Sequence, residues 1–309
     1  MTKTVLPHRS DRTYLIDGGL ETTLVFHEGI DLPHFAAAVL LGDEAGEETL
    51  RAYHRRYAAI ARRVGMPYII DAPTWRASRE WGARLGYTRD GADALNTRGI
   101  ALGREIQDEH DELETLVSAA IGPRGDGYAP DSLMAADEAE AHHASQVRVL
   151  AGAGADLLNA LTMTHAGEAA GLARAAADAD APIAVWMTVE TDGRLPTGQP
   201  LGEAIEEIDA ASDGSVAFFG INCAHPDHFG PVLDGRWTER IRGVRANASR
   251  CSHAELDEAE ELDDGNPTEL GTLTASLRER LPRLNVIGGC CGTDHRHVDA
   301  MAGAFRRAA

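Results

Sequence analysis

The chain has 309 residues, a formal net charge of −20 and a pI near 5.0. That balance argues against nucleic acid as a partner, since phosphates and an acidic surface repel. No apolar run approaches the ~20 residues of a membrane helix, and the start Met1-Thr2-Lys3-Thr4-Val5-Leu6-Pro7-His8 lacks the apolar stretch of a secretory signal, so the expectation is a cytoplasmic protein with no membrane partner.

Short β-like runs alternate with helical patterns along the chain. The runs predict strands at 13–17, 68–71, 116–120, 156–161, 183–189, 216–222, 240–246 and 284–287. Between them helices are predicted at 47–64, 97–110, 136–151, 166–177 and 269–281. The first is the clearest: Leu50, Tyr53, Tyr57 and Ile60 recur on one helical face. Such alternation implies parallel strands joined by crossover helices. Eight strands is the number that closes a (β/α)₈ barrel. The expectation is one α/β barrel domain over 1–309, with an acidic insertion near 251–267 after the seventh strand. That insertion reads equally as a solvated loop or as a lid. A doubly wound open sheet is the alternative, but no Gly-x-Gly-x-x-Gly turn follows the first strand.

Parallel barrels place their chemistry at the C-terminal ends of the strands. Asp17, Thr74, Asn159, Thr162, Glu190 and Asn247 fall there. Lys3 is the only lysine and is expected in a terminal tail, which argues against a lysine Schiff base. Three of the four cysteines also reach that end. Cys290 and Cys291 sit within Ile287-Gly288-Gly289-Cys290-Cys291-Gly292-Thr293, and Cys223 ends the apolar run that begins at Val216. Three thiolates from two strand ends would bind zinc and leave one coordination position open, as catalytic sites do. Inert buried thiols or a disulfide between Cys290 and Cys291 are the plainer readings, and adjacent cysteines are not a zinc-finger spacing. Cys251 is the rival third ligand. His225, His228, His295 and His297 lie nearby and read as surface or supporting residues, because three sulfurs plus a substrate complete a tetrahedron.

Gly-Gly-Cys-Cys-Gly after a last strand, with Gly220-Ile221-Asn222-Cys223 on an earlier one, resembles the homocysteine S-methyltransferase family. Leu15-Ile16-Asp17-Gly18-Gly19-Leu20-Glu21-Thr22, Ile121-Gly122-Pro123 and the stretch 188–198 are similar to further family segments in the same order. The likeness spans roughly residues 12 to 305. It implies Zn²⁺ on Cys223, Cys290 and Cys291, and a substrate thiol held as thiolate. A free thiol with a pKa of ~8.5 is only a few per cent ionised at pH 7. It also implies methyl transfer from a cationic donor (S-methylmethionine, S-adenosylmethionine or betaine) to homocysteine, giving methionine. Asp17, Gly18, Gly19, Asn159, Thr162 and Asn222 become the expected substrate-binding residues, with the amides of Gly18 and Leu20 holding the acceptor's carboxylate.

There are departures. The family carries a glutamate at the end of strand four that holds the acceptor's ammonium; here that point is Leu161, and Asn159 on the same strand face is the expected partial substitute. Trp186 stands where a small residue is usual, and 246–249 replaces Pro-Asn-x-Gly. Phe26, Trp75 and Trp186 are candidates for an aromatic cage around a methyl cation. The alternative function is a catalytically inactive or divergent barrel that binds zinc or a different sulfur ligand; a zinc hydrolase is a third reading. The sequence leaves a homo-oligomer open.

Overall fold

The computed structural model describes residues 5–128 and 133–307, so Lys3 falls outside the described residues. Eight parallel strands close into a barrel in sequence order, β1 pairing with both β2 and β8. The strands are β1 (Tyr14–Leu15), β2 (Tyr68–Ala72), β3 (Thr115–Ile121), β4 (Leu157–Met163), β5 (Ile183–Met187), β6 (Phe218–Ala224), β7 (Ile241–Ala246) and β8 (Val286–Gly289). All eight predicted strands are present, with ends shifted by a few residues. They read as near-continuous apolar runs because both faces are covered.

The long helices are α1 (Glu44–Val64), α2 (Arg89–Glu109), α3 (Ala136–Gly152), α4 (Ala166–Asp178), α5 (Leu201–Ala211), α6 (Pro267–Ser276) and α7 (His295–Arg307). The side chain of Asp43 caps α1 by accepting from the Gly46 amide at 2.8 Å. Gly65 ends the helix in the left-handed conformation, φ 71°. The predicted face of Leu50, Tyr53, Tyr57 and Ile60 is buried. Its ring Tyr57 reaches the first βα turn: a Cβ on Gly18 would lie 2.7 Å from the Tyr57 hydroxyl. Helix packing therefore fixes the turn that borders the strand ends. The sixth crossover uses the short helix Pro226–Phe229 and 3₁₀ turns in place of a long helix.

Two apolar cores result. The larger lies between the strands and the helices. The smaller fills the barrel interior with Tyr14, Ile16, Ile69, Leu116, Leu157, Trp186, Phe218 and Val286, among others. Trp186 is fully buried there, and its ring occupies space left by two glycines. A Cβ on Gly220 would approach the ring to 2.2 Å and one on Gly243 to 2.3 Å. The indole thus plugs the barrel, and it is not part of a cage for a substrate cation. Its Nε1 donates to Asn159 Oδ1 at 3.1 Å, which satisfies the one polar atom of the plug.

Because Trp186 leaves no room at these two positions, Gly220→Ala should overpack the interior and cost about 1–3 kcal/mol. Denaturant unfolding measures this; an unchanged midpoint would mean that the indole is free to move aside.

Candidate active site

The three predicted cysteines meet at the C-terminal mouth of the barrel. Their Sγ atoms all lie within 4.8 Å of one another. Cys223 and Cys290 are joined as a disulfide, and Cys291 is free. The fourth cysteine, Cys251, is exposed and outside this group.

Local backbone geometry explains the convergence. Cys223 lies in β6 with φ 54°, beside a register shift against β7. Thr162 in β4 has φ 59°, again at a register shift, against β5. A threonine or cysteine in this region is strained, and bulges of this kind re-aim side chains at barrel rims. Asn222 supports both: its Oδ1 accepts from the Thr162 amide at 3.0 Å and its Nδ2 donates to Thr162 Oγ1 at 3.0 Å. The same Nδ2 lies 3.5 Å from Cys223 Sγ and 3.9 Å from Cys290 Sγ. On the β8 side, close approach of the first βα turn holds Cys290. A Cβ on Gly19 would stand 2.4 Å from the Cys290 carbonyl oxygen. Gly292, with φ 76°, turns the chain away after the pair.

The sulfurs open into a cavity of about 410 Å³. Asp17, Gly18, Gly19, Thr162 and Asn222 line it, as do Phe26, Trp75 and Leu161. Asn159 does not reach it. Its Nδ2 is spent on Asp71 Oδ1 (3.0 Å) and Ser118 Oγ (3.1 Å), and its Oδ1 on the Trp186 indole. The structure therefore corrects the expectation that Asn159 contacts substrate. It shares a strand face with Leu161 but sits one layer deeper in the barrel.

Beneath the cavity lies a charged network. Arg245 on β7 donates from Nη2 to Asp17 at 2.8 Å and from Nη1 to Asp71 at 2.9 Å. All three are buried. Burial pushes the Asp17 carboxyl up to about 7, against the pull of Arg245 and with Asp71 adding to the rise. Two carboxylates share one guanidinium, so the group stays short of positive charge. Sequence reasoning passed over Arg245 and Asp71; a charged side chain in each of two otherwise apolar strands was the available signal.

The acidic insertion forms a wall of the cavity. It contains a short helix, His253–Asp257, closed by a capping box between Ser252 and Glu255. Leu256, Asp257, Glu261, Leu262 and Asp263 face the cavity. One end is pinned by His253, whose Nε2 lies 2.7 Å from the Cys223 carbonyl and Nδ1 3.1 Å from Glu190. At the other end the Asp264 carbonyl meets His297 Nε2 at 2.7 Å, and its carboxylate accepts from Arg296. The His253 ring stacks on Tyr128, centroids 4.1 Å apart. Tyr128 Oη lies 3.1 Å from Cys291 Sγ. Burial pushes the Cys291 thiol up, and the Tyr128 hydrogen bond opposes that rise. Tyr128 carried no recognisable motif, and its proximity to Cys291 arises only through folding. Of the nearby histidines, His225 and His297 are buried.

Seven acidic side chains line the cavity against two arginines, Arg76 and Arg245. A chamber of this charge favours a cationic ligand beside the sulfurs. The fold and the site together define a barrel enzyme whose cysteine cluster opens into an acidic chamber. The family profile described as homocysteine S-methyltransferase matches residues 14–305, and the chain belongs to that family. It is a methyltransferase of the kind that acts on homocysteine. Homocysteine S-methyltransferase 4 of Zea mays is 27% identical over 95% of this chain and 90% of that one. The oxidized form of the homocysteine methyltransferase MmuM from Escherichia coli superposes with a TM-score of 0.73 at 21% identity, covering 97% of this chain and 99% of that one. The metallated form of the same enzyme gives 0.72 at 22% identity, covering 98% and 100%. Among the described residues no helix is long and apolar enough to cross a membrane.

Removing Arg245 would leave Asp17 and Asp71 buried together without a cation. Arg245→Met should therefore cost about 3–5 kcal/mol at pH 8. The folded-state pKa of Asp17 would rise further above its unfolded value. The native state would then keep protons that the unfolded chain releases, so stability falls as pH rises. The deficit should be largest above pH 7 and shrink on acidification. Denaturant unfolding at several pH values checks both the size and the sign.

Proposed function

We propose that this chain is a zinc-dependent methyltransferase that moves a methyl group from a sulfonium or betaine-type cation to homocysteine, giving methionine. The observation that carries this reading is the meeting of Cys223, Cys290 and Cys291 at the mouth of an acidic cavity. The donor set fits the metal. Three sulfur donors that converge within 4.8 Å of one another suit a divalent zinc ion. The ligand form is the reduced one, so an external dithiol must first reduce the Cys223–Cys290 bond by two electrons, itself becoming a disulfide. Held by Cys223, Cys290 and Cys291, zinc would supply a Lewis-acidic centre that keeps a substrate thiol ionised at neutral pH, worth about 2 kcal/mol.

The chain's own groups then position the reactants. Asn222 ties the Cys223 and Cys290 sulfurs to Thr162. Asp17, Gly18 and Gly19 form the turn that receives the amino-acid end of the acceptor; the Gly19 amide is spent on the Thr293 carbonyl at 3.0 Å and the Gly18 amide faces the Tyr57 hydroxyl, so the Leu20 amide is the one left for its carboxylate. The acidic lining raises the local concentration of a cationic donor. In the reaction the acceptor sulfur forms a bond to the methyl carbon as that carbon's bond to the donor heteroatom breaks. The donor leaves neutral, keeping the electron pair, and the thiol proton has already passed to solvent. No general acid is required, so in-line positioning carries the catalysis. The wall formed by 251–264 helps to exclude water.

Reduced protein should bind about one zinc per chain. Cys223→Ser and Cys290→Ser should lose it, and Cys251→Ser should keep it. Metal analysis decides this; retained zinc in Cys223→Ser with loss in Cys251→Ser would overturn the ligand assignment. A matrix of donors (S-methylmethionine, S-adenosylmethionine, betaine) and thiols on the zinc-loaded protein tests the reaction itself. Absence of transfer for every pair would favour an inactive sulfur-ligand-binding barrel.

A further inference from the structure

Glu21 is a carboxylate in the cavity that the account above leaves without a task. It lies in the first turn after Gly19 and lines the chamber beside the sulfurs. Its neighbour Thr22 fixes its place: Thr22 Oγ1 donates to the Gly19 carbonyl at 3.2 Å and accepts from the Gly292 amide at 3.2 Å. The turn is thus stitched to the residue that follows Cys291. The negative charge of Glu21 is felt at the Cys291 thiol.

The other acids near the sulfurs are committed. Asp17 and Asp71 are both paired with Arg245. Leu161, across the cavity, offers no charge. Asp257, Glu261 and Asp263 belong to the outer wall. Among the described residues no side chain hydrogen-bonds or ion-pairs with the Glu21 carboxylate; Arg245 and Arg76 act on it only through space. A poorly solvated carboxylate whose only hydrogen bond comes from its own backbone amide is costly, and the cost is relieved when a cation arrives. Four bonds separate the sulfur of homocysteine from its nitrogen, a span of about 5 Å. An amino acid with its sulfur at the cysteine cluster and its carboxylate at the Gly18–Gly19 turn would carry its ammonium toward this side chain.

We propose that Glu21 is the residue that binds the α-ammonium of the acceptor and so sets its specificity for an amino-acid thiol. This inference rests on the proposed thiol methyl transfer. It also replaces the expectation that Asn159 substitutes for a carboxylate at Leu161, and it predicts that the wild type prefers homocysteine over its des-amino analogue.

The test is calorimetric titration of zinc-loaded, reduced protein with homocysteine and with 4-mercaptobutanoate, alongside KM for acceptor and donor. Glu21→Gln should weaken homocysteine binding about ten-fold or more and leave 4-mercaptobutanoate within about two-fold. Zinc content should be unchanged, and Glu21→Asp should recover part of the loss. Equal weakening of both thiols, no change for homocysteine, or a rise confined to the donor KM would each overturn the assignment. If wild type binds neither thiol, the methyl-transfer reading fails and this inference with it; if it binds both but Glu21→Gln changes nothing, the inference alone fails.

Discussion

Arg245 is the group on which the interior depends. It reaches across the barrel mouth from β7 to Asp17 after β1 and Asp71 on β2, and its Nε donates to the Gly289 carbonyl on β8 at 3.2 Å. From Asp71 the network continues to Ser118 on β3, Asn159 on β4 and Trp186 on β5. One connected set of hydrogen bonds therefore ties together six of the eight strands and the turn after β1. Burying three charges is expensive, and removal of one partner leaves the others uncompensated. In return the network gives the cavity a rigid polar floor directly above the apolar plug of Trp186. The side chains above it are held by position as much as by packing.

The sulfur cluster is built on a different device, local strain. Cys223 and Thr162 both adopt left-handed backbone conformations that ordinary strand residues avoid. Each sits at a register shift, and Asn222 joins them. The surrounding barrel overdetermines these conformations and so can sustain them. The result is that a β6 sulfur turns toward two sulfurs delivered after β8. The wall at 251–264 is tied to the same place, since His253 hydrogen-bonds the Cys223 carbonyl and stacks on the ring that touches Cys291. Closure of the chamber and the geometry of its sulfurs are therefore mechanically linked.

Much of this was legible in the linear chain. Strand and helix alternation follows from hydrophobic periodicity, which is local, and so the barrel could be read from its eight apolar runs. The double cysteine among glycines, with Cys223 at another strand end, marked the site because few residue types bind metal and their strand-end positions follow from the alternation. Helices α5 and α7 escaped, although Leu201, Ala204, Ile205 and Ile208 form a buried face; α7 follows the cysteine motif so closely that its polar start, His295-Arg296-His297, concealed the periodic pattern. What only the tertiary structure decided is how groups distant in the chain divide their hydrogen bonds. Asn159 was expected at the substrate but is consumed by Asp71, Ser118 and Trp186, which lie up to 88 residues away in sequence. Glu21 stands out as lacking a paired cation only once Asp17 and Asp71 are seen to have taken Arg245. A linear pattern shows which side chains can share a face; long-range packing decides which polar atoms remain free to meet a ligand.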